Sequence, residues 1–498
     1  MSTESWRPTR LAESNMSHFH RRHFLAQQAF GLGGLAFASL LNDDGLLAAP
    51  PKPVLQQKPF DLEQRQPPRL PQATAMISMF MQGGPSQMDL CDPKPELKKR
   101  HLQTFDGEIH FDNTVQKSRK LFAGPWKFRK HGQCGMDFSE LLPHHGEIAD
   151  EICLVRSMQT GISGHETGIS AMNTGRQRRG RPVLGSWLVY ALGSENRNLP
   201  AYMVLRDPDS LPVLGAENWQ NTWLPSACAG TVVHAHEPRI ANLQPPPSLR
   251  GTNQQRILAY LQRLNRRHLE KHPGESELAA RMQSYTLAAS MQIEAREALD
   301  ISGESQQTQK LYGIDDPVTR DFGTRCLIAR RLVERGVRFV HVLSGDQDWD
   351  HHGGIVRSLP NSCRQVDKPA SALVLDLKQR GLLDTTIVHW GGEIGRLPVI
   401  QNEANIGRDH NGVGFSMWLA GGGIKAGHIH GATDELGHRA VEDIVHHYDY
   451  HATLFHLFGL EIDEVTFQRP VGNTTLTDGQ PGQVVAGILQ NPPADDRS

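Results

Sequence analysis

The chain has 498 residues, with 52 Lys+Arg against 54 Asp+Glu, a formal net charge of -2, and 38% hydrophobic residues. That balance excludes a disordered or collagen-like chain and offers no strongly basic face for nucleic acid. The six cysteines (Cys91, Cys134, Cys153, Cys228, Cys326 and Cys363) are too scattered for a zinc ribbon, an iron–sulfur run or a disulfide scaffold, whereas the 25 histidines are an outlier that points to metal if they meet acids.

The N-terminus reads as an address. His20-Arg21-Arg22-His23-Phe24-Leu25 precedes an apolar, Gly- and Ala-rich run from Ala26 to Leu41, and Leu47-Ala48-Ala49-Pro50 follows. Paired arginines before a mildly hydrophobic segment are the pattern of a twin-arginine export signal, here over residues 1–49, although His20 stands where Ser or Thr is usual. A retained anchor and a basic flank on a buried helix are the alternatives. The run is short for a membrane span of about 20 residues, and no later segment is a second candidate. The expectation is export by the twin-arginine machinery to the periplasm or the exterior, with no transmembrane domain in the mature protein.

Residues 50–72 hold seven prolines and many glutamines and read as a linker. Ala73–Met81 is a nearly continuous apolar run broken by Gly83-Gly84-Pro85, which predicts a fully buried first strand ending in a Gly-rich loop. Further strands are expected at Ile152–Met158, Ala201–Leu205, Val337–Leu343, Thr385–Trp390 and Gly414–Ala420. Helices are expected at Glu166–Met172, Trp187–Leu192, Leu327–Gly336, Ala370–Arg380 (closed by Gly381) and Tyr448–Phe458. Long helical periodicity in Gln255–His268 and Glu275–Leu299 marks a helical insertion at about 250–300. The alternation predicts an α/β domain over 73–498 with a mostly parallel central sheet flanked by helices. Sites in such folds lie beyond the carboxyl ends of the strands.

Polar clusters follow those strand ends. Asp346, Asp348, Asp350, His351 and His352 come directly after one strand, and Asp350 and His352 can converge on one centre of the carboxylate–imidazole kind that suits zinc. Glu393, Arg396, Arg408, Asp409 and His410 form a second cluster, in which Arg396 and Arg408 are candidate bidentate clamps for an oxyanion. Gly164-His165-Glu166 leads from a loop into a helix N-terminus, where an anion is favoured and where His165 or Ser163 can face a ligand. Asp89 and Asp92 follow the Gly-rich loop as further candidate ligands, and His447 and His451 share a helix face that reads as packed core. Each cluster also has a plainer reading, as a solvated turn, surface ion pairs or an N-capping turn. There is no dinucleotide fingerprint, phosphate-binding Gly-Lys-Ser/Thr loop, His-Glu-x-x-His or Gly-x-Ser-x-Gly elbow.

Taken in order, Gly83-Gly84-Pro85-Ser86-x-x-Asp89, Gly164-His165-x-x-Gly168 with Thr174-Gly175, and Arg335-Gly336-Val337-Arg338-Phe339-Val340 lead to Trp349-Asp350-x-His352-Gly353. Gly392-Glu393-x-Gly395-Arg396, Gly407-Arg408-Asp409-His410 and Asp449-x-x-Ala452-Thr453-Leu454 complete the series. This order over about residues 73–460 resembles the DUF1501 family, an exported group related to the alkaline phosphatase and sulfatase superfamily. The resemblance implies an alkaline phosphatase-like α/β sandwich with two adjacent metal positions and a nucleophile at a helix N-terminus. On it, Asp350, His352 and His410 are ligands of one divalent metal, with zinc expected. Glu393 stands where the superfamily has an Asp-His pair and Asp89 is a displaced form of the aspartate after the first strand, so both are further candidate metal ligands. His165 falls where sulfatases carry their nucleophilic cysteine, so it is expected to attack or to shuttle a proton, with Arg396 and Arg408 stabilising negative charge. No Cys-x-Pro-x-Arg motif is present. Metal-dependent hydrolysis of a phosphate or sulfate ester, on a small molecule or a glycan, is one reading. A non-catalytic metal- or ligand-binding protein that keeps the fold is a second, and assembly with an exported partner is a third.

Overall fold

The structure, a computed structural model, describes residues 60–109, 118–240, 252–271, 282 and 294–493. The expected signal segment and residues 50–59 of the linker therefore lie outside the described residues. Among the described residues no helix is long and apolar enough to cross a membrane.

The first strand, β1 (Ala75–Phe80), is buried along its whole length. Its side chains alternate between two cores, with Ile77 and Met79 in one and Met76 and Phe80 in the other. Period-two burial on both faces requires a covering layer on each side. The pair β2 (Phe128–His131) and β3 (Met136–Ser139) forms a separate hairpin. The remaining strands of the main sheet are β4 (Ile152–Gln159), β5 (Tyr202–Leu205), β6 (Thr231–Val233), β7 (Phe339–Leu343) and β8 (Thr386–Gly391). A second hairpin, β9 (Gly395–Ile400) with β10 (Arg408–Asn411), precedes β11 (Phe415–Ala420) and β12 (His428–His430).

The nine-stranded sheet runs β12-β4-β11-β8-β1-β7-β5-β6, with Val445–His446 also paired to β4. Strand β1 lies between β7 and β8, parallel to both. Among the described strands of this sheet, β11 alone runs antiparallel to its neighbours. The expected mostly parallel α/β sandwich is the observed fold. Helices Arg320–Val333 and Ile355–Gln379 contribute to one core, and Leu184–Leu192 and His447–Leu457 to the other.

Two local expectations change. The helix foreseen at Ala370–Arg380 begins at Ile355 and passes through Pro360 and Pro369. Proline removes one backbone donor and strains the preceding turn, so it reads as a stop. Here the apolar stripe from Ile355 and Leu359 through Cys363 and Val366 to Leu377 is buried on both sides of the prolines, and that packing carries the helix through. The hairpin β9–β10 is not announced by the sequence, because Pro398 interrupts β9. Of the helical insertion, Thr252–Lys271 is helical as expected, while most of the second stretch lies outside the described residues.

The middle of the sheet carries a buried polar row. The register places Ser78 opposite both His341 and His389. Ser78 Oγ and His389 Nδ1 hydrogen-bond at 3.0 Å, and the His389 ring lies against Tyr450. Burial pushes the His341 and His389 imidazoles down to about 3, and His451 down to about 4. These rings stay neutral in the fold and take up protons near pH 6.5 once unfolded. The unfolded chain therefore binds more protons as pH falls below 6.5, and each ring costs about 1.4 kcal/mol per pH unit there. A denaturation midpoint lower at pH 5 than at pH 7 is expected. An equal or higher midpoint at pH 5 would contradict neutral burial of the row.

Candidate metal centre

Three segments carry the donors to one rim of the sheet, beyond the carboxyl ends of β4, β7 and β8. The loop after β4 delivers His165 as the first residue of the helix His165–Thr174. The loop after β7 delivers Asp350 and His352, and β10 delivers His410 directly opposite Arg396 in its hairpin. One ligand atom from each of His165, Asp350, His352 and His410 lies within 4.8 Å of all the others.

Glycines permit this crowding. Gly83 has φ +109°, and a Cβ there would sit 2.5–2.9 Å from the backbone of Trp349 and Asp350. A Cβ on Gly407 would collide with the backbone of His352 and Gly353. The hairpin is clamped from below by the buried amide of Gln87, whose Oε1 accepts from Arg396 N at 2.9 Å and whose Nε2 donates to Arg396 O at 3.0 Å. Arg408 N also donates to His351 O at 3.0 Å, tying β10 to the β7 loop.

Asp350 is the centre of the cluster. Its Oδ1 lies 3.0 Å from His352 Nε2 and 3.2 Å from His410 Nε2, and its Oδ2 lies 3.3 Å from His165 Nε2. The far nitrogens of two rings are fixed. His165 Nδ1 is 2.6 Å from Glu393 Oε1, and His352 Nδ1 is 2.5 Å from Gln401 Oε1. Both partners are acceptors, so each neutral ring carries its hydrogen on Nδ1 and turns the Nε2 lone pair toward the Asp350 carboxylate. His165 Nε2 is buried without a hydrogen-bond partner. Lone pairs facing a carboxylate repel unless a cation lies between them. The spacings from Asp350 to the three nitrogens, 3.0 and 3.2 Å from Oδ1 and 3.3 Å from Oδ2, are close to the edge of about 3.3 Å in a tetrahedral zinc shell, and all four donors lie within 4.8 Å of one another. The donor set thus fits a divalent metal.

In the metal-free chain, protons meet the same demand for positive charge. Burial alone would raise the Asp350 carboxyl, but the three imidazoles and Arg396 hold it well below the usual range. Burial alone would lower His165, but the carboxylates of Asp350 and Glu393 outweigh it and push the ring up to about 9. Burial and the positive charges of Arg396 and His165 lower His410, against the pull of Asp350. His351 faces away toward Ser362, and burial takes it down to about 4.

The other expected site residues occupy different places. Glu393 is outside the four-residue cluster and reaches it through His165, while Gly83 N donates to its Oε1 at 3.0 Å. The Asp89 carboxylate accepts both arms of Arg408, at 2.7 and 2.9 Å, and the Ser86 hydroxyl at 2.6 Å. Arg408 further donates to Leu397 O and Phe122 O and lies over the Phe122 ring. Arg396 donates to the carbonyls of Gly83, Gly84, Trp349 and Arg408, and to Asp350 Oδ1 at 2.6 Å. Both guanidinium groups are fully buried. Gln401 was not foreseen, since a lone glutamine after a strand carries no metal signature. Ser163 and Asp92 are also outside the cluster.

A cationic His165 must lose its proton before its Nε2 can bind a metal. At pH 7, titration with zinc is expected to release about one proton, and affinity is expected to rise with pH toward 9. Calorimetry in buffers of different ionisation enthalpy measures this. Binding without proton release, at constant affinity between pH 7 and 9, would contradict the charge state derived for His165.

Several solved structures are similar to the chain at low identity. A sulfatase from Pseudoalteromonas sp. is 13% identical, with 80% of this chain and 69% of that chain covered and a TM-score of 0.32. An alkaline phosphatase from the Antarctic bacterium TAB5 is 10% identical, with 72% and 93% covered and a TM-score of 0.28. A lipoteichoic acid synthase from Listeria monocytogenes is 9% identical, with 84% and 76% covered and a TM-score of 0.33. No curated protein matches the sequence. The family described as "Protein of unknown function (DUF1501)" matches residues 73–489, and the chain belongs to that family.

Proposed function

We propose that the protein holds one divalent cation, zinc by its donor set, between His165, Asp350, His352 and His410, and hydrolyses an ester of phosphate or sulfate there. The observation that carries this reading is the convergence of three imidazole nitrogens and one carboxylate on a single point at the carboxyl rim of the sheet. A bound divalent ion supplies Lewis acidity and a water of lowered pKa. The chain supplies the rest. His352, 33% exposed, marks the side from which a substrate enters, while His165 and His410 are largely enclosed. The N-terminus of the ten-residue helix beginning at His165 presents unpaired backbone N–H groups and the positive end of its dipole to an anion. Arg396 and Arg408 do not contact the ester in this reading. Arg396 keeps Asp350 ionised and in place, and Arg408 anchors the hairpin through Asp89.

The twin-arginine-type N-terminus supports a place of action beyond the cytoplasmic membrane, where esters on small molecules or glycans are the accessible substrates. A second reading, a metal-binding protein without turnover, draws on a specific observation. Four protein donors are the complement of a closed structural zinc site, whereas catalytic sites commonly use three and leave a position open.

The test pairs elemental analysis with hydrolysis of p-nitrophenyl phosphate and p-nitrophenyl sulfate. The catalytic reading expects one metal per chain, turnover abolished by a chelator and restored by zinc, and a loss of more than about 100-fold in Asp350→Asn. A full complement of metal with no turnover of either ester would overturn the catalytic reading and favour the second.

A further inference from the structure

The Glu393 carboxylate is fully buried and has no place among the four converging donors. Its Oε1 sits 2.6 Å from His165 Nδ1, on the far side of the ring from Nε2. Gly83 N donates to the same oxygen at 3.0 Å. The carboxylate is also fitted closely to the helix that carries His165: a Cβ on Gly168 would lie 3.3 Å from both Cβ and Cγ of Glu393. A side chain at either glycine would displace the carboxylate or the loop that holds it. An acid in an apolar interior is costly unless its oxygens receive hydrogen bonds, and the ones it receives come from Gly83 N and His165 Nδ1.

We infer that Glu393 is a positioning residue for the metal: it fixes the ring of His165 with its hydrogen on Nδ1, so that Nε2 is presented to the cation. This rests on the proposed metal site and extends it to a residue that the sequence suggests as a direct ligand. The physical case is the short contact to the wrong nitrogen for direct ligation. A carboxylate bound to the far nitrogen orients a ligating imidazole and raises its donor strength, and losing such a partner typically lowers metal affinity about 10–100-fold. Glu393 also couples three segments. Through Gly83 it ties the loop after β1, through His165 the loop after β4, and through its own backbone the end of β8.

The test is a double-mutant cycle read in zinc affinity, by competition of zinc alone against a chromophoric chelator, on the full chain. Glu393→Gln is expected to weaken zinc binding 10–100-fold. His165→Ala is expected to weaken it as well, and adding Glu393→Gln to His165→Ala is expected to cause no further loss, because Glu393 acts only through that ring. An equal loss from Glu393→Gln in both backgrounds would show direct ligation and overturn the inference. So would an unchanged affinity in Glu393→Gln. If the wild-type chain binds no zinc, the metal site itself fails, and that result is distinct from the other two. Should Glu393→Gln not fold, the 15N shifts of His165 in the zinc-loaded wild type decide. A protonated Nδ1 with a metal-bound Nε2 is expected, and the reverse tautomer would overturn the assignment.

Discussion

A single carboxylate that faces imidazole lone pairs organises this end of the molecule. Asp350 is largely enclosed and is touched by Arg396 and by three histidines from separate chain segments. Such a group persists as an anion only when cations or donors surround it. Arg396 provides one donor. The rings of His165 and His352 do not provide two more in their neutral forms, because Glu393 and Gln401 occupy their far nitrogens. The arrangement therefore calls for positive charge between the rings and the carboxylate. A proton on His165 meets part of that demand, and a divalent metal meets all of it.

The fold exists, at this rim, to bring those segments together. Parallel strands put their carboxyl ends on one side, so the loops after β4 and β7 converge without long excursions. The hairpin β9–β10 then folds across the rim and sets His410 beside Arg396. Two buried arginines hold that hairpin. Arg408 is locked to Asp89 by a two-armed ion pair, and Arg396 bonds to four backbone carbonyls as well as to Asp350. Breaking either would leave a charge buried without its partner, a change that typically costs several kcal/mol, about 3–5.

Much of this was legible in the residues. The nearly continuous apolar run Ala73–Met81 read as a fully buried first strand, and the acids and histidines after Val337–Leu343 stood where α/β sites lie. Asp350 and His352 were recognisable because a carboxylate and an imidazole in a short string after a strand carry a metal signature, and His410 joined them through the family resemblance. The arginines were legible as important, but the direction of their forks was not. A guanidinium beside a site can face a substrate or the backbone that builds the site, and only the three-dimensional arrangement of carbonyls distinguishes them. The same holds for Asp89, whose partner lies more than three hundred residues away. Glu393 was legible as a member of the site, while its contact to the far nitrogen of His165 depends on a β1 loop and a helix start meeting. Gln401 carried no signal at all. The hairpin β9–β10 was hidden by Pro398, and the long helix from Ile355 by Pro360 and Pro369, cases in which tertiary packing overrides a local breaker.

The most direct measurement of the central claim is a crystal structure of the zinc-loaded protein with anomalous data collected across the zinc edge. The account predicts one peak at about 2.0–2.2 Å from the Nε2 atoms of His165, His352 and His410 and from an Asp350 oxygen. No peak at that position, with protons alone joining the rings to the carboxylate, would contradict it.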